Sequence, residues 1–133
     1  MARVYVDTSA FYSLLVRNDP QHDRARETLG QLRKKDAELV TSSYVVLETI
    51  ALLQRRAGTE VVRDWQQRVE PGLEVVWIQA DLHRRALIAL LAADDRRISL
   101  TDWASFEVIR EEDIRRAFAF DEDFHGRGFE VIP

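Results

Sequence analysis

Short apolar runs alternate with amphipathic helical patterns along the whole chain, and this alternation constrains the fold more than any other feature. Arg3 to Val6 is predicted as a strand, and Asp7-Thr8-Ser9 behind it caps a helix carrying Phe11, Leu14 and Leu15 on one stripe. A second helix is expected from His22 to Lys35, with Ala25, Leu29 and Leu32 at helical spacing. Leu39-Val40-Thr41 gives a second strand. Ser42 and Ser43 then introduce a long apolar helix through Tyr44, Leu47, Ala51 and Leu52, closing near Gly58. Val61, Trp65 and Val69 mark the next helix, stopped by Pro71-Gly72. Leu73 to Ile78 is a third strand, and the helix from Ala80 carries Leu82, Ala86, Ala89, Leu90 and Ala93 on one side. Asp102 is expected to open a helix containing Phe106 and Ile109. Ala117 to Phe120 is a fourth strand ending at Asp121, and Phe129 to Ile132 a short fifth. Strands alternating with helices predict an α/β fold: a three-layer α/β/α sandwich around a mostly parallel central sheet of four or five strands.

Nothing in the pattern suggests a linker, repeat or low-complexity segment, so residues 1–133 are expected to form a single domain. No apolar run approaches the ~18 residues of a membrane span. Asp7 lies where a signal peptide would still be apolar, which makes a cytoplasmic location the expectation. The absence of cysteine excludes disulfides, thiolate metal sites and cysteine nucleophiles. A formal charge of -4 at first argues against a nucleic-acid partner. The basic residues are clustered, however, in Arg33-Lys34-Lys35, Arg55-Arg56, Arg84-Arg85, Arg96-Arg97 and Arg115-Arg116. Such pairs serve equally as solvated helix faces or as phosphate contacts, so charge alone decides nothing.

Ligands of parallel sheets bind outside the carboxyl ends of the strands, which directs attention to Asp7 and Asp121. Asp102 lies on the core-facing stripe of its helix, with Phe106 and Ile109 at i+4 and i+7. Glu48 has Tyr44, Val45, Ala51 and Leu52 as its helical neighbours, so its carboxylate is predicted to point with the apolar face, where it needs a cation. Each aspartate alone is also explained as a helix cap. Together the four acids would repel one another unless positive charge lies among them. Oxygen donors without cysteine favour Mg²⁺ or Mn²⁺, which would lower the pKa of a bound water and neutralise charge on a phosphodiester. Thr8, Ser9 and Thr101 adjoin these acids and can orient a carboxylate. His22, His83 and His125 have no zinc-like spacing and are expected at the surface.

Four stretches carry a family resemblance: Val4-Tyr5-Val6-Asp7-Thr8-Ser9-Ala10-Phe11, Val46-Leu47-Glu48-Thr49, Ile98-Ser99-Leu100-Thr101-Asp102, and Ala117-Phe118-Ala119-Phe120-Asp121-Glu122-Asp123-Phe124 completed by Gly128-Phe129. In this order, across almost the whole chain, they resemble the PIN-domain family, specifically its VapC-like toxins of bacterial and archaeal toxin–antitoxin pairs. The resemblance implies a parallel-sheet α/β/α fold, Mg²⁺- or Mn²⁺-dependent endoribonuclease activity on an RNA substrate, inhibition by a cognate antitoxin protein, and a homodimer. It assigns Asp7, Glu48, Asp102 and Asp121 to the acidic catalytic and metal-binding site, with Asp123 as the reserve choice for the fourth position. Thr101 matches the hydroxyl residue that the family commonly places before its third acid. Family members often carry a further acid beyond that motif. Here Ser105-Phe106 precede Glu107, which is predicted to face solvent, so a single ion is expected in the absence of RNA.

Other readings compete. A nuclease of RNA processing or structured DNA, outside any toxin pair, would carry the same acids. A catalytically silent PIN-like module that binds RNA or protein is disfavoured because all four acidic positions are intact. A response-regulator receiver fails, since Val75-Val76-Trp77-Ile78 ends without an acid and no lysine follows Lys35. Phe11, Leu14, Leu15 and Trp65 are candidates for an antitoxin groove if exposed, and otherwise core.

Overall fold

The structure, a computed structural model, describes residues 2–133. Five strands form one sheet: β1 (Arg3–Val6), β2 (Glu38–Ser42), β3 (Leu73–Val76), β4 (Arg116–Phe118) and β5 (Glu130–Ile132). The spatial order is β3-β2-β1-β4-β5, and every pairing is parallel. Parallel neighbours need a crossover to bring the chain back. Those from β1 through to β4 are made by α1 (Thr8–Leu15), α2 (His22–Lys34), α3 (Ser43–Ala57), α4 (Thr59–Arg68), α5 (Ala80–Ala93) and α6 (Leu100–Glu111), whereas a loop with one 3-10 turn (Glu122–Phe124) joins β4 to β5. The result is the expected three-layer α/β/α arrangement.

The centre of the sheet follows from composition. In β1, Val4, Tyr5 and Val6 are consecutive and 0%, 0% and 1% exposed, which requires cover on both faces and marks a central parallel strand. β1 pairs with β2 at Val4 opposite Leu39 and with β4 at Val6 opposite Phe118. The one buried hydroxyl of β1, on Tyr5, donates to Ser105 Oγ at 2.7 Å and so ties the strand to α6. Thr41 donates to the Val6 carbonyl at 2.8 Å. Phe11 of α1 meets Trp65 of α4 edge to face, with 5.8 Å between ring centres. Gly58 joins α3 to α4 at φ 94°, a left-handed conformation that a side chain would strain.

Chain order reverses about β1: β2 and β3 lie on one side, β4 and β5 on the other. The crevice at such a switch point lies beyond the carboxyl end of β1, where Asp7 begins. Two strands end earlier than the sequence suggests. β4 stops at Phe118 instead of Phe120, and the Phe120 N–H donates to Ser9 Oγ at 2.9 Å. β3 stops at Val76 instead of Ile78, whose N–H donates to Ser43 Oγ at 2.9 Å. In both cases a serine hydroxyl takes the donor that would have extended the ladder.

Candidate active site

Asp7 leaves β1 as the N-cap of α1. Its backbone N–H donates to the Phe118 carbonyl at 3.0 Å, so β4 fixes its position. Its Oδ2 accepts the Ser9 N–H at 3.1 Å and the Ser9 hydroxyl at 2.7 Å. Because Ser9 Oγ also accepts from Phe120, one side chain links the carboxylate to the chain leaving β4. Asp7 is only 3% exposed, and its other oxygen, Oδ1, is buried with no hydrogen-bond partner. Burial pushes the Asp7 carboxyl up to about 7, the Ser9 bonds oppose the rise, and the charges of Asp102 and Glu48 add to it. Thr8 also has a buried hydroxyl without a partner.

Asp102 is the third residue of α6, not its first. Ser99 is the N-cap, and the two form a capping box: Ser99 Oγ accepts the Asp102 N–H, and Asp102 Oδ2 accepts the Ser99 N–H, both at 3.1 Å. The expectation that Asp102 opens the helix is corrected by this reciprocal pair, which starts α6 at Leu100. Asp102 is 7% exposed, and burial first, then the charges of Asp121 and Glu48, raise its carboxyl to about 6. Capping spends one oxygen and leaves the group under electrostatic stress. The structure therefore realises the capping role, and burial beside two other acids accompanies it.

Asp121 does not end β4; Ala119 and Phe120 intervene. It caps a short 3-10 turn, Glu122–Phe124, by accepting the Asp123 N–H at 2.9 Å. Asp121 is the acid whose charge acts on Asp102, whereas Asp123 acts on Arg97. This favours Asp121 over Asp123 as the fourth acid.

Glu48 departs from its expected setting. It is half-buried, not enclosed in the core. The core face of α3 is instead Val45, Val46, Thr49 and Leu53. Tyr44, Leu47, Glu48 and Ala51 line an open cleft of about 530 Å³ shared with His83, Leu100 and Thr101. Among the described residues no arginine or lysine forms an ion pair with Glu48. Its charge raises the pKa of both Asp7 and Asp102. The four acids therefore share one electrostatic field. As placed, no three of the described histidine or carboxylate groups close around a single point, so ligation would require side-chain rotation.

Glu107 is not solvent-facing as expected; it pairs with Arg85 of α5 and with Arg110. Of the histidines only His125 is exposed. His22 Nδ1 is 2.8 Å from the Ser13 carbonyl. His83 is half-buried and hydrogen-bonded to the Tyr44 hydroxyl across α3 and α5. Sequence reasoning missed this pair. The available signal was that Tyr44 precedes Glu48 by one helical turn, on the same face.

The PIN-domain family model matches residues 4–130. The chain is 36% identical over 132 residues to the 23S rRNA-specific endonuclease VapC20 of Mycobacterium tuberculosis, covering 98% of each. The crystal structure of that protein, described as a toxin that cleaves the sarcin-ricin loop, superposes with a TM-score of 0.83 at 34% identity, covering 98% of this chain and 99% of that one. VapBC2 of Rickettsia felis, bound to a DNA fragment from its promoter, shares the fold at a TM-score of 0.72 and 13% identity, covering 97% and 96%. FitAcB of Neisseria gonorrhoeae does so at 0.69 and 16%, covering 98% and 96%. The chain belongs to the PIN-domain family.

Proposed function

From that membership we propose that the chain is a metal-dependent endoribonuclease, the toxin of a toxin–antitoxin pair, with Mg²⁺ or Mn²⁺ held by Asp7, Asp102, Glu48 and Asp121. One observation carries the metal site: Asp7 keeps a buried, unpartnered carboxylate oxygen within the field of two further carboxylates. A hard cation relieves both costs, desolvation and repulsion, and an all-oxygen donor set suits it. When bound, such an ion supplies a water of lowered pKa and compensates charge on the scissile phosphate.

The chain's own residues hold the donors. Ser9 fixes Asp7 by Oδ2 and leaves Oδ1 for the cation. Ser99 fixes Asp102 through the capping box. Glu48 approaches from α3 and Asp121 from the 3-10 turn, so the donors come from four elements and the site exists only in the folded chain. Thr101, next to Asp102 in sequence, lines the cleft with Glu48, which supports a role in orienting a carboxylate or substrate.

Ribosomal RNA is the substrate class we infer, because the full-length relative that shares 36% identity is a 23S rRNA-specific endonuclease. The seat we infer for an antitoxin partner is a groove of about 690 Å³ between α1, α2 and α4, with Leu14, Leu15, Leu29 and Val69 as apolar lining and Arg17, Arg26 and Arg68 beside the single acid Asp64, which pairs with Arg68. An apolar floor with a net basic rim suits an amphipathic segment bearing acids. Phe11 and Trp65, 1% and 0% exposed, are core and take no part. Homodimerisation is supported by Leu87, Ile88 and Leu91, which α5 exposes at 38%, 67% and 67%. No helix is long and apolar enough to cross a membrane, and a cytoplasmic site of action fits an RNA target.

The test is cleavage of ribosomal RNA by antitoxin-free protein with Mn²⁺, with Mg²⁺ and with EDTA, beside Asp7→Asn and Asp102→Asn. Metal-dependent cutting lost in both variants supports the reading. Cutting that persists in EDTA, or in both folded variants, rejects it.

A further inference from the structure

A hydrogen bond joins Tyr44 and His83. It spans α3 and α5 at the mouth of the cleft, with the two rings edge to face and 5.9 Å between centres. The same cleft has apolar walls from Leu47, Ala51 and Leu100, and it holds Glu48 and Thr101. Leu47 is 68% exposed, although it lies between core residues Val46 and Thr49 in sequence. A cleft with apolar walls and a polar pair at one end has the composition of a small-ligand site.

We propose that this cleft is a nucleobase subsite. In it an unpaired base beside the scissile phosphate packs on Leu47 and Leu100 and is read by Tyr44 and His83. The inference rests on the nuclease reading and extends it to specificity. Adjacency carries the first part. Glu48 lies one helical turn from Tyr44, and Thr101 lies next to Asp102, so an occupant of the cleft adjoins the acids that would handle the phosphate.

Hydrogen-bonding capacity carries the second part. In one imidazole tautomer, Nδ1 accepts the Tyr44 proton, and Nε2–H and a phenol lone pair remain. In the other, Nδ1–H donates to the phenol, and the Tyr44 O–H and the Nε2 lone pair remain. Either arrangement offers one donor and one acceptor, which matches the edge of a base carrying a carbonyl beside an N–H. The rival occupant is a second copy of the chain, because Leu87 and Leu91 continue from His83 along α5. A dry seam there would enclose the unpaired Glu48 carboxylate at high cost, whereas RNA brings the cation and water that Glu48 needs.

The experiment begins by mapping the cut that the wild-type protein makes in ribosomal RNA. Short single-stranded RNAs carrying that cut are then prepared with each of the four bases at the two flanking positions. Wild type is expected to discriminate at one flank by about tenfold or more, and Tyr44→Phe and His83→Gln should reduce this to within about threefold. The loss should appear in KM more than in kcat, with the melting temperature held within a few degrees as the control for folding. Unchanged discrimination in both folded variants overturns the subsite while leaving the nuclease intact. A change from dimer to monomer by light scattering, with base preference unaltered, also overturns it and makes the cleft a seam between copies. If wild type cuts no RNA, the nuclease reading fails first. Anisotropy of the same labelled RNAs in EDTA then decides the subsite: a base preference lost in His83→Gln upholds it, and equal binding of all four bases by wild type overturns it.

Discussion

β1 has a carboxylate cluster at each end, and the two are solved in opposite ways. At its start, Arg3 reaches Glu74 and Glu112 at 3.0 Å each and Glu38 at 3.8 Å, gathering acids from β2, β3 and the end of α6. A further bond to the Glu112 carbonyl at 3.2 Å completes the fork. Four residues on, about 13 Å along the strand, Asp7 gathers the fields of Asp102 and Glu48. The first cluster contains its own cation and is half-exposed; the second centres on Asp7 and Asp102, both buried, and no arginine or lysine among the described residues pairs with either. Repulsion among acids, two of them buried, is a cost to stability, and its place at the switch point of the sheet supports the proposal that this is the functional end.

The largest expected effect separates the clusters by activity. Asp7→Asn and Asp102→Asn should each lower RNA cleavage by about a thousandfold or more, roughly 4 kcal/mol of transition-state stabilisation. Arg3→Ala should leave cleavage within about twofold, since Arg3 is a strand's length away. Equal losses in Arg3→Ala and Asp7→Asn would erase the distinction between the two ends.

Stability against pH comes next. The folded-state carboxyls of Asp7 and Asp102 are raised from 3.8 to about 7 and about 6. Between the unfolded and folded values the native state holds more protons than the unfolded one. The metal-free protein therefore loses stability as pH rises from about 4 to about 7, by about 2–4 kcal/mol from Asp7. Asp7→Asn keeps an acceptor for Ser9, carries no charge, and should flatten that slope and raise the melting temperature at pH 7.5. Melting curves of both proteins in EDTA between pH 4.5 and 8 are the check; parallel slopes would show that Asp7 is not strained.

Much of this was legible in the sequence, because strand burial and helix caps are local. Arg3 to Val6 reads as a strand of a mostly parallel sheet, and the acid after it lies where ligands of such sheets bind. The errors came from interactions distant in sequence. Nothing near Phe120 shows that Ser9, 111 residues away, takes its N–H and shortens β4. Glu48 is half-buried at a cleft instead of enclosed in the core, because α3 has more apolar residues than the core accepts and the surplus face lines that cleft. His83 looked isolated because its partner Tyr44 is 39 residues away on another helix. The groove had the same difficulty, since helical spacing puts Phe11 and Leu14 on one stripe but cannot tell that Phe11 packs on Trp65 in the core while Leu14 lines the groove.

Adding a divalent cation should bring the acid end of β1 to the condition of the Arg3 end. At pH 7.5, millimolar Mn²⁺ at about a hundred times its dissociation constant would stabilise the fold by about 2.7 kcal/mol. The increase in melting temperature should be lost in Asp7→Asn and kept in Arg3→Ala. No increase across the titration for wild type would count against a site that assembles before RNA binds.

The smallest effect tests the cluster that is already neutralised. The acids around Arg3 are 34–52% exposed, so their pairing with it is screened and each pair contributes about 1 kcal/mol or less. Arg3→Ala should lower the melting temperature by only a few degrees at low salt. Part of that loss should fade in about 1 M NaCl, where the Debye length falls to about 3 Å. The part that survives is the packing of the Arg3 stem and its bond to the Glu112 carbonyl, which salt does not screen as strongly. The acid end should respond in the other sense. There salt screens repulsion instead of attraction, so the metal-free wild type at pH 7.5 should be slightly stabilised by the same addition. Melting curves for wild type, Arg3→Ala and Asp7→Asn at two salt concentrations resolve the signs. If salt moved all three in the same direction by the same amount, the two ends of β1 would not differ electrostatically.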